Sequence, residues 1–374
     1  MKVPFSYLSR QFANIKPYLA AITRLVRSGD FTLGYPLPAF EKNIRRITGA
    51  RYCIGVNSGT DALILSLKAA GVGPGDEVIT AANTFYATAG AIAAAGARPV
   101  FVDVNDSFLM DPGHTEKAVT KKTRAIMPVH YMGLPADMAA FMDIARRKKL
   151  IVIEDSCQAL GASINGKSVG TFGLAGAFSF HPLKNLNVWG DAGAIVTNSA
   201  ALADRLCKLR NHGLVYRDEI EFFGVNSRLD SLQAAVGNVL VRHFPEINRR
   251  KHANAERYNA AFARLYPRVR LPRIDRGLVH SYHLYMLYAE KRDALLKFLI
   301  ARGVEAKIHY PLPLHLQKAS RVYGYKRGDF PVCEDQVRHY ITLPVHQHLT
   351  NREVGFVIDS VAAFYGKGRA GACR

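Results

Sequence analysis

The amino-acid sequence predicts an α/β protein. We expect a large domain with a mainly parallel mixed sheet flanked by helices, and a smaller C-terminal α+β domain. Between about residue 48 and residue 200, strand-like runs alternate with helix-like runs, which is typical of βαβ units. After that region the alternation gives way to a long helical stretch and shorter mixed elements. The 374 residues suffice for both domains, which we place at residues 1–245 and 246–374.

The alternation can be followed element by element through the first half of the chain. In the run 136–149, Met138, Phe141 and Ile144 lie near helical spacing. Ligands of such sheets bind beyond the carboxyl ends of the strands, and so polar residues that follow strands are the site candidates. The strand-like runs are 77–80, 98–104, 124–129, 150–154, 175–180 and 191–197, and the helix-like runs are 61–70, 88–95, 136–149 and 201–210.

The second half begins with a helical stretch over residues 229–265. We expect Pro245 to break or kink it, because proline has no backbone N–H to donate. The last helix is preceded by a capping box, Thr350-Asn351-Arg352-Glu353, which can satisfy unpaired backbone N–H groups. The remaining short elements are strand-like runs at 282–288 and 304–310 and helix-like runs at 292–302 and 351–365.

The composition is that of an ordinary water-soluble globular protein, with 49% hydrophobic and 21% charged residues. The least polar stretch, residues 87–97, is far shorter than the roughly 20 apolar residues of a membrane span. The first residues lack the apolar core of a secretory signal, so we expect a cytoplasmic protein. Five scattered cysteines without a C-x-x-C pair argue against a disulfide framework and against a zinc site, and we predict no metal.

The net charge of +20 allows three interpretations. It indicates a solvated basic surface, attraction to an anionic substrate such as a nucleotide, or affinity for nucleic acid. No helix-turn-helix, zinc finger or RNP-type aromatic motif accompanies the charge, so we predict no specific nucleic-acid partner. The basic clusters are 146–149, 249–251 and 367–369.

A candidate phosphate site lies at Asn57-Ser58-Gly59-Thr60-Asp61, directly before a helix-like run. A glycine-containing turn that opens a helix presents free N–H groups and the positive end of the helix dipole, which suit a phosphate dianion. The alternative is simple capping of the helix by Ser58, with Asp61 three residues on.

Asp155 and Lys184 are the candidates for reactive groups. Asp155 ends a buried strand, where an isolated carboxylate is costly without a positive partner such as a protonated pyridine nitrogen. A helix N-cap or a structural ion pair is the alternative. Lys184 has apolar neighbours that favour a lowered pKa and a neutral amine, although most lysines are surface residues. A carboxylate for a ring nitrogen and an amine for an aldehyde are what pyridoxal phosphate (PLP) requires.

Seven segments, spread nearly end to end, carry a family resemblance. In their order they resemble the nucleotide-sugar aminotransferases of the DegT/StrS type. These are fold-type I enzymes that use PLP, and the resemblance implies that fold, cofactor and reaction class here. The segments are 57–63, 154–159, 178–186, 190–194, 209–213, 224–230 and 309–317.

The resemblance implies a role for individual residues. Lys184 would bind the cofactor aldehyde and later shuttle the proton, and Asp155 would pair with the pyridine nitrogen. Gln158 would lie beside the ring near its phenolic oxygen, while Phe85 would stack on the opposite face. Relatives that remove a sugar hydroxyl carry histidine at the lysine position, so Lys184 disfavours dehydration. The residues implied to hold the phosphate are Gly59, Thr60 and Ser179.

Asn226 matches the family residue that reaches the phosphate from the neighbouring subunit, which implies a homodimer with shared active sites. The resemblance also implies a group of residues near the nucleotide-linked sugar. They are Phe31, Thr32, His309, Tyr310 and His315.

The leading hypothesis is an aminotransferase that takes an amino group from glutamate and places it on a nucleotide-linked keto-hexose, in deoxyaminosugar biosynthesis. Segment 309–317 resembles family members that act at the sugar's 3-position more than at the 4-position. The alternatives are a 4-position enzyme and a PLP enzyme of the same fold that acts on a cyclitol ketone. A nucleic-acid-binding regulator, suggested only by the charge, is the remote alternative.

Overall fold

The computed structural model describes residues 1–366, so the predicted basic cluster at 367–369 lies outside the described residues. The α-helices are α1 (Leu8–Gln11), α2 (Lys16–Ser28), α3 (Pro36–Thr48), α4 (Gly59–Ala69), α5 (Tyr86–Ala94), α6 (Pro112–Lys117), α7 (Met138–Lys148), α8 (Ala200–Leu209), α9 (Ser231–Leu240), α10 (Phe244–Phe262), α11 (Arg292–Ala301), α12 (Pro331–His339) and α13 (Asn351–Gly366). Short 3₁₀ turns cover Tyr131–Gly133, Val241–His243, Ala263–Leu265, Leu314–Leu316 and Lys318–Tyr323.

The strands form one large sheet and three small ones. The strands are β1 (Tyr52–Val56), β2 (Glu77–Ala81), β3 (Arg98–Val102), β4 (Thr123–Ile126), β5 (Ile151–Asp155), β6 (Ser163–Ile164), β7 (Lys167–Ser168), β8 (Ala175–Ser179), β9 (Gly193–Thr197), β10 (Leu214–Tyr216), β11 (Glu219–Ile220), β12 (Val269–Arg270), β13 (Leu278–Val279), β14 (Tyr285–Ala289) and β15 (Tyr340–Leu343). The small sheets have the orders β10-β11, β12-β14-β15 and β13-β6-β7.

The large sheet has the strand order β1-β9-β8-β5-β4-β2-β3. Strands β3, β2, β4, β5 and β8 pair in parallel, whereas β9 is antiparallel to both β8 and β1. The predicted mainly parallel mixed sheet is therefore confirmed, while the edge strand β1 was not predicted. Because β9 reverses the direction and β1 reverses it again, β1 runs the same way as β8. The carboxyl ends of β1, β2, β5 and β8 thus meet at one edge of the sheet.

Strand β5 shows why this sheet is covered on both faces. Successive residues of a strand point to opposite faces, and in β5 both Val152 and Ile153 are buried. Val152 packs into a core that includes Phe141 of α7, and Ile153 packs into a core that includes Leu63 of α4. A strand buried on both faces reads as a continuous apolar run, and this is how residues 150–154 read.

The C-terminal part packs its own core between α10, α11, α13 and the sheet β12-β14-β15. Val3 joins this core from the other end of the chain and pairs with Val304. The division between residues 245 and 246 falls in the first turn of α10 and stays a prediction.

Of two expectations about elements in the second half, one was wrong and one is confirmed. The run 304–310 is not a strand, since only Val304 and Lys307 make isolated pairings there. The predicted break of the stretch 229–265 at Pro245 is confirmed, because the 3₁₀ turn Val241–His243 interrupts the stretch and Pro245 lies in the first turn of α10. A proline costs no helical hydrogen bond at that position, because the N–H groups of the first turn are unpaired in any helix.

Among residues 1–366, none of the helices combines the length and the apolar character that crossing a lipid bilayer requires. The cytoplasmic location stays a prediction.

The predicted capping box at the start of α13 is formed. The Glu353 N–H donates to Thr350 Oγ1 at 3.1 Å, and the Thr350 N–H donates to Glu353 Oε2 at 2.8 Å. Arg10 donates to both carboxylate oxygens of Glu353, at 2.6 and 2.9 Å. The Arg10 guanidinium and the Thr350 donors hold the pKa of the Glu353 carboxyl at about 2.

We predict that Glu353→Gln lowers the free energy of unfolding by about 1 kcal/mol at pH 7, because the ionised carboxylate accepts from both Arg10 and Thr350. The folded-state pKa lies below the usual value of 4.5, so this stabilisation is present above pH 4.5 and is lost as the pH falls toward 2. The difference between wild type and variant should therefore shrink in denaturant melts between pH 7 and pH 3. Glu256→Gln, an exposed site on α10, is the control; a pH-independent difference for Glu353→Gln would contradict the prediction.

Candidate active site

A cavity of about 510 Å³ opens at the sheet edge where β1, β2, β5 and β8 end. Its wall is completed by residues from the N-terminus, such as Tyr7, and from the C-terminal part, such as His346. Nine of the residues that the sequence singled out lie in this wall. They are Gly59, Thr60, Phe85, Asp155, Gln158, Ser179, Lys184, His309 and Tyr310.

Four other predicted residues are not part of the wall in the described chain. Phe31 and Thr32 are exposed on the loop between α2 and α3, and Asn226 is exposed in the segment that follows the β10–β11 hairpin. His315 is 1% exposed and lies 3.0 Å from Glu334, with its ring packed on Phe330. The expectation that His315 lies near the substrate is therefore not supported by its position, because Glu334 and Phe330 enclose its side chain.

The start of α4 forms one corner of the cavity. Ser58 caps the helix by accepting the Asp61 N–H at 3.0 Å, so the capping alternative describes a real contact. Gly59 follows and lies so close to β8 that a Cβ added to it would stand 2.6 Å from Ser179 Cβ and 3.0 Å from Cys157 Sγ. This corner combines a serine hydroxyl, the unpaired N–H groups of a first helical turn and close backbone approach, which fits a phosphate.

Asp155 is 5% exposed at the end of β5. Thr88 Oγ1 donates to its Oδ2 at 2.7 Å, and the Cys157 N–H donates to its Oδ1 at 3.2 Å. Among residues 1–366, no basic side chain forms an ion pair with Asp155, so the structural ion pair suggested as an alternative is absent there. Because both contacts of this carboxylate are neutral donors, it is available to a cationic ligand in the cavity.

Lys184 extends from the loop of residues 181–188, here called the lysine loop. A turn closes this loop, with the Lys184 N–H donating to His181 O at 2.8 Å. Tyr7 Oη donates to Lys184 O at 2.9 Å, and Asn187 Nδ2 donates to the same oxygen at 3.1 Å. Burial lowers the pKa of the Lys184 amine, opposed by Cys157 and the Asp155 carboxylate. A larger neutral fraction makes the amine a nucleophile and a base.

An aromatic wall with two amide contacts faces these groups. The Phe85 and Tyr310 ring centroids are 5.5 Å apart, and Gln158 Nε2 donates to Tyr310 Oη at 3.4 Å. Gln158 Oε1 is fixed by the Met132 N–H at 2.7 Å. Burial lowers the pKa of His309 to about 4, which makes its ring neutral at pH 7.

Sequence reasoning missed Thr88, Tyr7 and Lys251. Thr88 lies three residues beyond Phe85 in α5, and a buried hydroxyl within an alanine-rich helix was the available signal. Tyr7 and Lys251 lie 177 and 67 residues from Lys184, and no spacing pattern connects residues at such separations.

The sequence profile of the DegT/DnrJ/EryC1/StrS aminotransferase family matches residues 14–362. The chain is 43% identical to the pleiotropic regulatory protein of Geobacillus stearothermophilus, over 98% of this chain and 99% of the relative. It is 40% identical to the dTDP-3-amino-3,4,6-trideoxy-alpha-D-glucose transaminase of Streptomyces venezuelae, over 96% of this chain and 95% of that enzyme.

The fold is also similar to a solved structure. The crystal structure of DesV from S. venezuelae, in complex with a ketimine intermediate, superposes with a TM-score of 0.94 at 40% identity, and the match covers 97% of this chain and 98% of DesV. The fold-type I architecture predicted from the sequence is thereby confirmed, and so is PLP as the cofactor. The chain belongs to the DegT/DnrJ/EryC1/StrS aminotransferase family.

Proposed function

We propose that this protein transfers an amino group from glutamate to the keto carbon at the 3-position of a nucleotide-linked hexose, in deoxyaminosugar biosynthesis. The observation that carries this proposal is the buried amine of Lys184 in one cavity with Asp155 and with the α4 corner. The 3-position is supported by the S. venezuelae relative, whose name places the amino group at that position.

The residues of the cavity fit PLP. Gly59, Thr60 and Ser179 would hold its phosphate, Asp155 its ring nitrogen, and Lys184 its aldehyde, with Phe85 and Gln158 beside the ring. When bound, PLP supplies a carbonyl that condenses with amines and a ring that accepts the electrons left when the donor's α-proton is removed. The roles below are those of the protein side chains.

The amine of Lys184 would take the α-proton from the amino donor and deliver it to the carbon that is the aldehyde carbon of PLP. In the second half of the reaction it would move a proton in the opposite direction on the keto sugar. The lowered pKa suits this role because burial raises the neutral fraction of the amine, and a neutral amine can accept a proton and then give it up. The negative charge of Asp155 would keep the ring nitrogen cationic, and Thr88 would orient the Asp155 carboxylate.

His309 and Tyr310 would meet the sugar, since both line the cavity outside the α4 corner. His309 Nδ1 lies 3.0 Å from Thr342 Oγ1, and a neutral imidazole can exchange hydrogen bonds with sugar hydroxyls. The net charge of +20 would draw the anionic nucleotide toward the protein.

The active unit would be a homodimer in which Asn226 reaches the phosphate of the partner's site. Asn226 is exposed, and large apolar side chains near it are exposed as well. Tyr216 is 72% and Phe223 94% exposed. Apolar side chains this exposed are typical of a surface that another subunit covers.

The alternatives are less well supported. A 4-position enzyme or a cyclitol enzyme would use the same lysine chemistry and differ only in the sugar end of the cavity. A regulator that binds nucleic acid would agree with the net charge and with the name of the G. stearothermophilus relative. It would not account for a buried amine, a buried carboxylate and a phosphate corner in one cavity.

The substrate is tested by single-turnover reactions. Protein loaded with pyridoxamine phosphate should be converted to the PLP form by 3-keto nucleotide sugars at least about 100-fold faster than by 4-keto sugars or cyclitol ketones. The change in cofactor absorbance gives the rate for each ketone, and Lys184→Ala is the inactive control. The proposal would be contradicted if a simple keto acid such as pyruvate converts the cofactor and no nucleotide sugar does.

The phosphate corner is tested at Gly59. Gly59→Ala should lower the affinity for PLP by about tenfold or more, since its Cβ displaces Ser179 or the ligand, and tenfold corresponds to ~1.4 kcal/mol. Gly90→Ala in α5 is the matched control, because a Cβ there meets nothing within 4 Å. Absorbance titration of the cofactor-free proteins gives both affinities. An unchanged affinity of Gly59→Ala for PLP would show that the phosphate does not bind at this corner.

Sharing of active sites is tested by hybrid dimers. Lys184→Ala and Asn226→Ala chains should each have low activity alone. Co-refolded in equal amounts, they should recover about one quarter of wild-type activity, because half of the dimers are hybrids and one of their two sites is intact. Each variant refolded alone is the control. If Asn226 serves its own chain, the hybrid contains no intact site and no activity returns.

A further inference from the structure

Lys251 is a buried lysine without a carboxylate partner. Its side chain on α10 is 1% exposed, and Nζ donates to Asn185 Oδ1 at 2.8 Å. In the part of the chain that the structure describes, no acidic side chain forms a salt bridge with it. Burying a charge with one neutral acceptor is costly, and such groups occur where the charge or its hydrogen bond has a role.

The groups that face Lys251 from other elements are histidines. His280 and His283 precede β14, and His346 follows β15. Burial, aided by the charge of Lys251, lowers the pKa of each of the three, and their rings are therefore neutral at pH 7. His252 on α10 itself also has a pKa lowered by burial. Burial lowers the pKa of Lys251 to about 7, so Lys251 is the group in this cluster that titrates near neutrality.

Asn185, the acceptor of the Lys251 hydrogen bond, directly follows Lys184 in the chain. Its amide donates in turn to Ser281 O at 2.7 Å, and it is 4% exposed. Asn185 therefore ties the lysine loop to two other segments. On the other side of the loop, Asn187 donates to Pro182 O at 2.6 Å and to Lys184 O.

We propose that Lys251 is a positioning residue for the amine of Lys184: through its hydrogen bond it fixes the side chain of Asn185, and with it the lysine loop. Lys251 is nearly inaccessible in the cavity wall and acts through Asn185, not on the substrate. This inference rests on the proposed role of Lys184 as the residue that binds PLP.

When Lys251 is protonated, its charge strengthens this anchor. A hydrogen bond from an ammonium group to an amide oxygen is about twice as strong as one between neutral groups. An apolar side chain of the same length would fill the space on α10 but would leave Asn185 Oδ1 without its donor. The amide could then rotate, and the hydrogen bond to Ser281 would be lost with it.

The test measures how fast PLP is captured, which does not depend on turnover. Cofactor-free wild type mixed with PLP should develop the visible absorbance of lysine-bound cofactor, and Lys251→Met should do so about tenfold more slowly. Lys251→Arg should recover most of the rate. In steady state, Lys251→Met should lower kcat by about tenfold and leave KM for both substrates within about twofold. Lys297→Met, exposed on α11, is the control.

A double-mutant cycle separates positioning from packing. Asn185→Ala should slow capture as much as Lys251→Met does, and the double variant should be no slower than either single variant. Lys251 loses its proton, and the anchor weakens, as the pH rises through about 7. The dependence of the wild-type capture rate on pH should therefore show an inflection near 7 that Lys251→Met lacks.

Multiplied effects in the double variant would show that Lys251 acts independently of Asn185. A Lys251→Met protein with a lower melting temperature but wild-type capture and kcat would reduce Lys251 to a packing role. Either result would overturn the inference. If Lys251→Met does not fold, the inference can still be tested with Asn185→Ala and Lys251→Arg. Capture of PLP by Asn185→Ala at the wild-type rate would then contradict it. If wild type itself captures no PLP, it is the role of Lys184 that fails.

Discussion

An amine and a carboxylate share one small cavity here without neutralising each other, and the chemistry of the site depends on this separation. If Lys184 and Asp155 formed an ion pair, the amine would be held as ammonium and could neither attack a carbonyl nor accept a proton. Instead, Asp155 is satisfied by Thr88 Oγ1 and the Cys157 N–H, and burial lowers the pKa of Lys184. The carboxylate thereby remains available for a cationic ring nitrogen.

The end of β5 shows how the fold selects one carboxylate for the site. Glu154 and Asp155 are adjacent and therefore point to opposite faces of the sheet. Glu154 is fully buried and accepts N–H groups from Gly170, Phe172 and Gly173 at 2.6 to 2.7 Å, with His130 Nε2 at 3.0 Å. All of its accepting capacity is used within the protein, so Glu154 secures the loop before β8 whereas Asp155 faces the cavity.

The sequence was most informative where local pattern decides structure. Runs with helical or strand spacing predicted the sheet, and the glycine turn before α4 predicted the phosphate corner. Other residues of the cavity wall, among them Gln158, His309 and Tyr310, came from the family resemblance and not from any local pattern. The failures have physical causes. The run 304–310 has strand-like composition, but whether a strand forms depends on pairing partners that are distant in the sequence. Within residues 1–366, only Val3 and Thr342 pair with this run. Similarly, His315 lies in a segment that reaches the cavity, yet Glu334 and Phe330 determine where its side chain points.

The same distance in sequence explains why the lysine loop could not be understood from its own residues. Its conformation is fixed by Tyr7, which directly precedes α1, by Ser281, and by Lys251 from α10. Each contact forms only when the N-terminal and C-terminal segments are packed against the large sheet. The reactive amine is therefore placed by the complete fold and not by the lysine loop alone.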